Sequence, residues 1–178
     1  MNAICYLSLG SNMGRRSELL DAASAAIERL PGTKVMGTSH YHTTRPVGGP
    51  PNQENYLNAA LQIQTPLAPH ALLTNLLEIE RGLGRDRSQE PRNGPRTIDI
   101  DILMYNDLVL TSPELTLPHP RMHSRTFVLM PLCDIAPNLI HPILRCPISL
   151  LAARCYAGGA CEPADRMIVA ELAGAVEA

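Results

Sequence analysis

The stretch 94–103, GPRTIDIDIL, alternates isoleucine with carboxylate. Successive side chains of a β-strand point to opposite faces of its sheet. Ile98, Ile100 and Ile102 therefore share a face that can pack on a core, and Thr97, Asp99 and Asp101 share the other. The pattern asks for a sheet with one apolar and one polar face. Two like charges side by side cost energy unless a cation or a hydrogen-bond network holds them. Taken alone, the stretch fits either a wet edge strand or a carboxylate pair built around a cation.

The rest of the chain bounds the choice. At 178 residues it is expected to form one domain with a sizeable core. A net charge of −2 creates no field that would recruit nucleic acid or an anionic membrane. No segment has the roughly 18 uninterrupted apolar residues of a membrane span. The N-terminal MNAICYLSLGSN lacks a basic region before its short apolar run, so a first strand is expected there rather than a signal peptide. The five cysteines form no C-x-x-C pair, which points to reduced thiols in a cytoplasmic protein and away from a zinc site.

Ala3–Leu9 reads as a strand ending in the Gly10-Ser11-Asn12 turn. Leu20, Ala23, Ile27 and Leu30 follow helical spacing from about Ser17 until Pro31-Gly32 stops them. Lys34–His42 is weakly β-like, and TTRPVGGPPNQE at 43–54 is a long irregular loop. In Asn55–Gln64 the set Leu57, Ala59, Leu61 and Ile63 points one way, and Tyr56, Asn58, Ala60 and Gln62 the other. Pro69 suits the first position of a helix running to about Leu83. After the polar loop 85–93 comes the aspartate strand to Tyr105, then a turn at Asn106-Asp107 and a candidate short return strand at Leu108–Thr111. A Pro/His/Arg segment leads into an apolar helix at Phe127–Leu132, and the chain beyond Pro147 is an Ala-rich tail with little chemistry. Strands alternating with helices predict an α+β sandwich, one sheet with helices packed on it.

Arginine clusters beside the aspartates. Arg81, Arg85, Arg87, Arg92 and Arg96 run straight into the strand, and Arg121 and Arg125 follow. A lone basic loop is usually just solvated. Guanidinium groups grip phosphate bidentately, however, and paired carboxylates hold a hard cation, so together they suit phosphoryl transfer. No G-x-x-x-x-G-K-[ST] loop occurs, which excludes a P-loop enzyme. Tyr56 and Asn58 set a ring beside an amide, a pairing that fits a flat heterocycle, although strand surface is the commoner use of such residues. His119 and His123 have metal-ligand spacing, but Pro118 and Pro120 disfavour a helix there, so a hydrogen bond from His119 to phosphate is the better reading.

The blocks LSLGSN, TRPVGGPPNQENYLNAAL, GLGRDR…GPRTIDIDIL and LPHPRMHSRTFVLMPL occur in an order that resembles the 6-hydroxymethyl-7,8-dihydropterin pyrophosphokinase family, over about residues 3–145. The resemblance implies a ferredoxin-like α+β fold and transfer of pyrophosphate from ATP to the pterin's hydroxymethyl oxygen, leaving AMP. It implies that Asp99 and Asp101 hold two Mg²⁺ ions. Thr44, the Val47 backbone, Tyr56, Asn58 and Phe127 fall where that family holds the pterin. Glu80, Arg85, Arg96, Ile102, His119 and Arg125 fall on nucleotide positions, with the arginines and His119 toward the phosphates. Arg87 and Arg92 lie in the family's mobile loop, and Asn93 stands where it often has tryptophan. On this reading 1–147 is the enzyme domain, 148–178 is a tail, and the molecule is a monomer whose partners are ATP and a reduced pterin. Two other readings stay open: a two-metal nucleotidyltransferase, which would release pyrophosphate, and a non-catalytic nucleotide-binding module, which has no need of the paired aspartates.

Overall fold

Strand β4 (Tyr56–Thr65) carries the alternation seen in the sequence, and β1 (Ala3–Ser11) pairs along its whole length. The computed structural model describes residues 2–88, 90–91 and 94–158. With β2 (Lys34–Thr38), β3 (His42–Thr44) and β5 (Asp99–Tyr105) these strands form a five-stranded sheet ordered β2-β4-β1-β5. β3 continues the edge begun by β2 along β4. All neighbouring pairs are antiparallel. Helix α1 (Arg16–Glu28) joins β1 to β2, and α2 (Pro69–Gly82) joins β4 to β5. Each helix therefore links two parallel strands with one antiparallel strand between them, and the two units interleave. That is the expected ferredoxin-like arrangement.

One face of the sheet packs on α1 and α2. Leu7, Leu9, Ala59, Leu61, Ile63, Ile100 and Ile102 meet Leu20, Ala23 and Ile27 of α1 and Leu72 and Leu76 of α2. The helices form where the apolar spacing places them, within one or two residues of the expected bounds. β6 (Leu110–Thr111) and β7 (Thr116–Leu117) pair in a separate hairpin, which accounts for the short return after β5.

The opposite face is not uniformly polar. At one end Tyr6, Ala60 and Met104 are covered by α3 (Thr126–Ile135) and α4 (Ile148–Tyr156), with Val128, Leu129, Leu132, Ile148 and Leu151 in a second core. A bulge lets β5 join it. Leu7 pairs with Ile102 but Tyr6 pairs with Met104, so Leu103 is an extra residue. Leu103 and Met104 both enter the second core, while Asp99 and Asp101 remain on that face at the uncovered end. The packed body thus runs on to Tyr156, past the boundary at 147 expected from composition. Ile148, Leu151 and Ala152 of the supposed tail are buried. Residues 159–178, including Cys161, lie outside the described residues.

If α4 belongs to the core, Leu151→Ala removes buried methyl groups and leaves a cavity. It should lower unfolding free energy by about 2–5 kcal/mol, measured by denaturant titration. A change within about 0.5 kcal/mol, the range of ordinary surface substitutions, would make α4 an appendage.

Candidate active site

The uncovered end of the polar face opens into a cleft of about 560 Å³, within the range of small-molecule sites. Register assembles its floor. Gly10 of β1 lies opposite Asn58 on β4 and Asp99 on β5, and Ser8 lies opposite Ala60 and Asp101. Small residues on β1 thus separate the ring-and-amide pair from the carboxylate pair. A Cβ on Gly10 would stand 3.2 Å from Asn58 Oδ1 and 3.8 Å from the Tyr56 ring, so a side chain there would crowd both. Asn58 lies on the β4 side of Gly10 and Asp99 on the β5 side. Thr44, Val47, Tyr56, Phe127, Asp101, His119 and six arginines also line the cleft.

The carboxylates are held by an ion-pair network rooted in α2. Glu80 follows Leu72 and Leu76 at four-residue steps and so shares their buried stripe. Only 1% of its side chain is exposed. Its Oε1 accepts from Arg85 Nη1 at 2.7 Å and from the Ile100 N–H at 2.8 Å. Its Oε2 accepts from Arg87 Nη2 at 2.7 Å. Gly84, at φ +88°, turns the chain after α2, and the Arg85 N–H closes back on the Glu80 carbonyl at 3.0 Å. Arg85 Nη1 then reaches Asp99 Oδ1 at 2.5 Å, and Arg96 Nη1 holds Asp99 Oδ2 at 2.9 Å.

This network divides the two aspartates. Burial disfavours charge on Asp99, but Arg96 and Arg85 outweigh it and hold its carboxyl below the usual carboxylate range. Among the described residues Asp101 has no such arginine pair, and the neutral His119 ring places its Nε2 at 3.9 Å. Burial in the cleft and the neighbouring charge of Asp99 push Asp101 up to about 6. Arg85 shows the converse: burial disfavours its charge, yet Asp99 and Glu80 raise its pKa further.

His119 is tuned to be neutral. Burial, then Arg125 and Arg121, bring it down to about 4. Its Nδ1 accepts the Arg121 N–H at 3.1 Å, so in the neutral ring Nε2 bears the proton and faces Asp101. Arg125 stands over the Phe127 ring, 5.4 Å from its centroid. Tyr56 donates its hydroxyl to the Gly94 carbonyl at 3.0 Å. Asn58 Nδ2 donates to Thr44 Oγ1 at 2.9 Å and to the His42 carbonyl at 3.3 Å. Its Oδ1 is left beside Gly10.

The structure gathers Thr44, Val47, Tyr56, Asn58, Arg85, Arg87, Arg96, Asp99, Asp101, His119, Arg125 and Phe127 in the cleft as expected. It does not bring two others to the surface. Ile102 is buried in the first core, because its parity points away from the aspartates. Glu80 has both oxygens spent behind the arginines, so it orients the cleft rather than lining it. Arg92 and Asn93 lie outside the described residues. Thr97, expected on the polar face, has its hydroxyl buried without a partner.

Sequence reasoning missed Ser8, Gly10, Arg45 and, as a cleft residue, Arg121. It also took Asn12 for a turn residue. Asn12 is buried and exchanges two bonds with the Arg96 backbone, Oδ1 accepting its N–H at 2.8 Å and the Asn12 N–H reaching its carbonyl at 3.2 Å. The signals were there: small residues at alternate positions of an apolar strand, and an acid on an apolar helix stripe.

A family model for 7,8-dihydro-6-hydroxymethylpterin-pyrophosphokinase matches residues 6–137. The chain is 42% identical over 153 residues to the 2-amino-4-hydroxy-6-hydroxymethyldihydropteridine pyrophosphokinase of Pseudomonas aeruginosa, covering 86% of this chain and 93% of that protein. It is also 42% identical to the Haemophilus influenzae protein of the same name, over 77% of this chain and 84% of that one. Among solved structures, a Plasmodium falciparum HPPK-DHPS chain with pteroate superposes with a TM-score of 0.68 at 16% identity. That match covers 86% of this chain and 42% of the other, which supports the fold.

The buried network gives a stability test. Glu80→Ala leaves the buried Ile100 N–H without its acceptor and takes one of three carboxylates from Arg85, which keeps Asp99 and Glu90, and should cost about 3 kcal/mol. Arg87, 55% exposed on its side chain, should cost less than about 1 kcal/mol when replaced by alanine. Thermal denaturation of the two variants compares them, and equal small losses would mean that Glu80 is dispensable to the fold.

Proposed function

The chain belongs to the 7,8-dihydro-6-hydroxymethylpterin-pyrophosphokinase family, and from that premise we propose how its cleft carries out the reaction. The enzyme transfers the pyrophosphoryl group of ATP to the hydroxymethyl group of the reduced pterin, a step of folate biosynthesis, and releases AMP. The observation that carries the reading is the division of one cleft. A ring-and-amide pocket for a flat heterocycle faces a cluster of arginines around two carboxylates across the bare backbone of Gly10.

At the pterin end, Phe127 and Tyr56 flank the heterocycle, while Asn58 Oδ1, Thr44 and the Val47 backbone read its edge. Asn58 is pre-set, because both protons of its amide nitrogen already point at β3. Arg85, Arg87, Arg96, Arg121 and Arg125, with Arg45 beside Thr44, line the cleft among the described residues. Asp99 and Asp101 are the carboxylates that line it with them, while Glu80 and Glu90 hold Arg85, and Glu80 holds Arg87, from behind. Such an excess of cations suits a polyphosphate. Arg85, Arg96 and Arg125 compensate charge on the transferring group, and neutral His119 donates from Nε2.

The donor set also fits a magnesium ion. Asp99 and Asp101 offer hard oxygens on one face, and no cluster of three or more His, Cys, Asp or Glu stands ready for a metal among the described residues. Carboxylates alone therefore leave most positions to phosphate oxygens and water, as Mg²⁺ prefers. We assign Asp99 and Asp101 as the residues that would hold Mg²⁺, two ions on this reading. When bound, these ions neutralise phosphate charge and polarise the reacting oxygens. To serve there, Asp99 would have to give up Arg85 and Arg96, and both arginines would then be free for phosphate.

The hydroxymethyl oxygen then attacks the β-phosphorus. The bond from that phosphorus to the α,β-bridging oxygen breaks, AMP leaves, and the hydroxyl proton is lost. No side chain described stands out as its base, so alignment and fixed charge supply most of the rate. On this reading the protein is a cytoplasmic monomer acting on two small molecules, without nucleic acid or membrane. No helix among the described residues is long and apolar enough to cross a membrane.

Incubation with ATP, Mg²⁺ and the reduced pterin should yield AMP and the pterin diphosphate in equal amounts. ADP, or free pyrophosphate, would contradict the reading. Asp101→Ala should lower turnover at least about 10²-fold, roughly 2.7 kcal/mol of barrier, with pterin affinity retained. Near-normal turnover in Mg²⁺ would remove Asp101 from the metal site.

A further inference from the structure

Asp134 lies outside the cleft, two turns along α3 from Phe127, yet it gathers three contacts from the chain around β3. Its Oδ2 accepts from His42 Nε2 at 2.9 Å and from the His40 N–H at 3.1 Å, and the His40 ring stands at 3.3 Å. The His40 side chain is 93% exposed, so its ring adds little. His42 and Asp134 are only 26% and 24% exposed, and this half-covered pair is the one able to hold geometry.

What it holds is a short strand that needs holding. β3 has three residues and pairs only with β4. Beyond it the chain enters the Pro/Gly-rich segment 45–55. Few backbone bonds therefore fix Thr44, and among the described residues no strand flanks β3 on its outer side. Yet both acceptors of the Asn58 amide, the His42 carbonyl and Thr44 Oγ1, belong to β3. Phe127, the ring across the pocket, belongs to the helix that carries Asp134. One carboxylate thus ties the two walls of the pocket together.

We propose that Asp134, through His42, is a positioning residue for the pterin pocket: it clamps β3 against α3 and thereby fixes the Asn58 amide and the spacing between Thr44 and Phe127. This rests on the pterin pocket assigned above. The clamp acts chiefly at the pterin end: of the phosphate-end groups Arg125 starts α3, while Arg85, Arg96 and His119 are anchored from α2, Asn12 and β5 instead.

The test compares Asp134→Ala, Asp134→Asn and Asn58→Ala with the parent chain, by titrating ATP alone and then pterin with a non-hydrolysable ATP analogue. In Asp134→Ala, pterin should bind at least about fivefold more weakly, the scale of a lost hydrogen bond, with ATP affinity within about twofold. Asp134→Asn keeps an acceptor for the His42 and His40 protons and should restore most of the loss. Without ligand, the Asn58 side-chain amide resonance should shift in the alanine variant and return in the asparagine variant. Equal weakening of both ligands, no rescue by asparagine, or an unmoved Asn58 resonance would overturn the clamp. If Asn58→Ala weakens pterin binding and Asp134→Ala does not, the clamp alone falls. If neither changes pterin affinity, the pocket assignment falls with it.

Discussion

Two aspartates on alternate positions of one strand repel each other, and the structure depends on how that repulsion is contained. Arginine contains it on one side only. Arg85 and Arg96 take both oxygens of Asp99, and Asp101 is left with a raised pKa near 6. Glu80 in turn anchors Arg85 to the end of α2 and accepts the Ile100 N–H between the two aspartates. A buried acid thus ties helix, loop and strand into one charge lattice. Breaking such a lattice costs more than forming it gains, because the remaining charges stay buried.

The lattice also explains the division of labour in the cleft. β1 supplies only Ser8 and Gly10 between the two ends, so the reactants can approach over backbone. On the proposed assignment, the pterin end is set by β3, β4 and α3, the phosphate end by α2, β5 and the segment from His119 to Arg125. Covering part of the same sheet face with α3 and α4 makes this possible. The second core fixes Phe127 at its margin, and the bulge at Leu103 lets β5 pass from carboxylates to apolar packing within one strand.

Much of this was legible in the sequence because period-2 and period-3.6 patterns survive wherever one face is buried. The Asp99–Asp101 pair, the Tyr56–Asn58 pair and the first core follow from alternation alone. Other features did not. Ala60 was read with a polar set, since alanine says little about burial and the helix covering it lies far along the chain. The Leu103 bulge is invisible in a run of apolar residues. Glu80 was assigned to the nucleotide on resemblance, although an acid in line with Leu72 and Leu76 already signalled a buried partner. The chain beyond 147 looked like a tail because its Ala-rich composition hides the four-residue spacing of Ile148 and Ala152 and the neighbouring Leu151.

The central claim is that Asp99 occupies Arg85 and Arg96 until a polyphosphate takes them. Calorimetric titration of ATP into Asp99→Asn and the parent chain, with and without Mg²⁺, tests it most directly. Without metal, the neutral amide of the variant no longer competes for the arginines or repels phosphate. ATP should then bind it at least as tightly as the parent, and the gain on adding Mg²⁺ should largely vanish. Weaker metal-free binding in the variant, or an intact gain from Mg²⁺, would contradict the account.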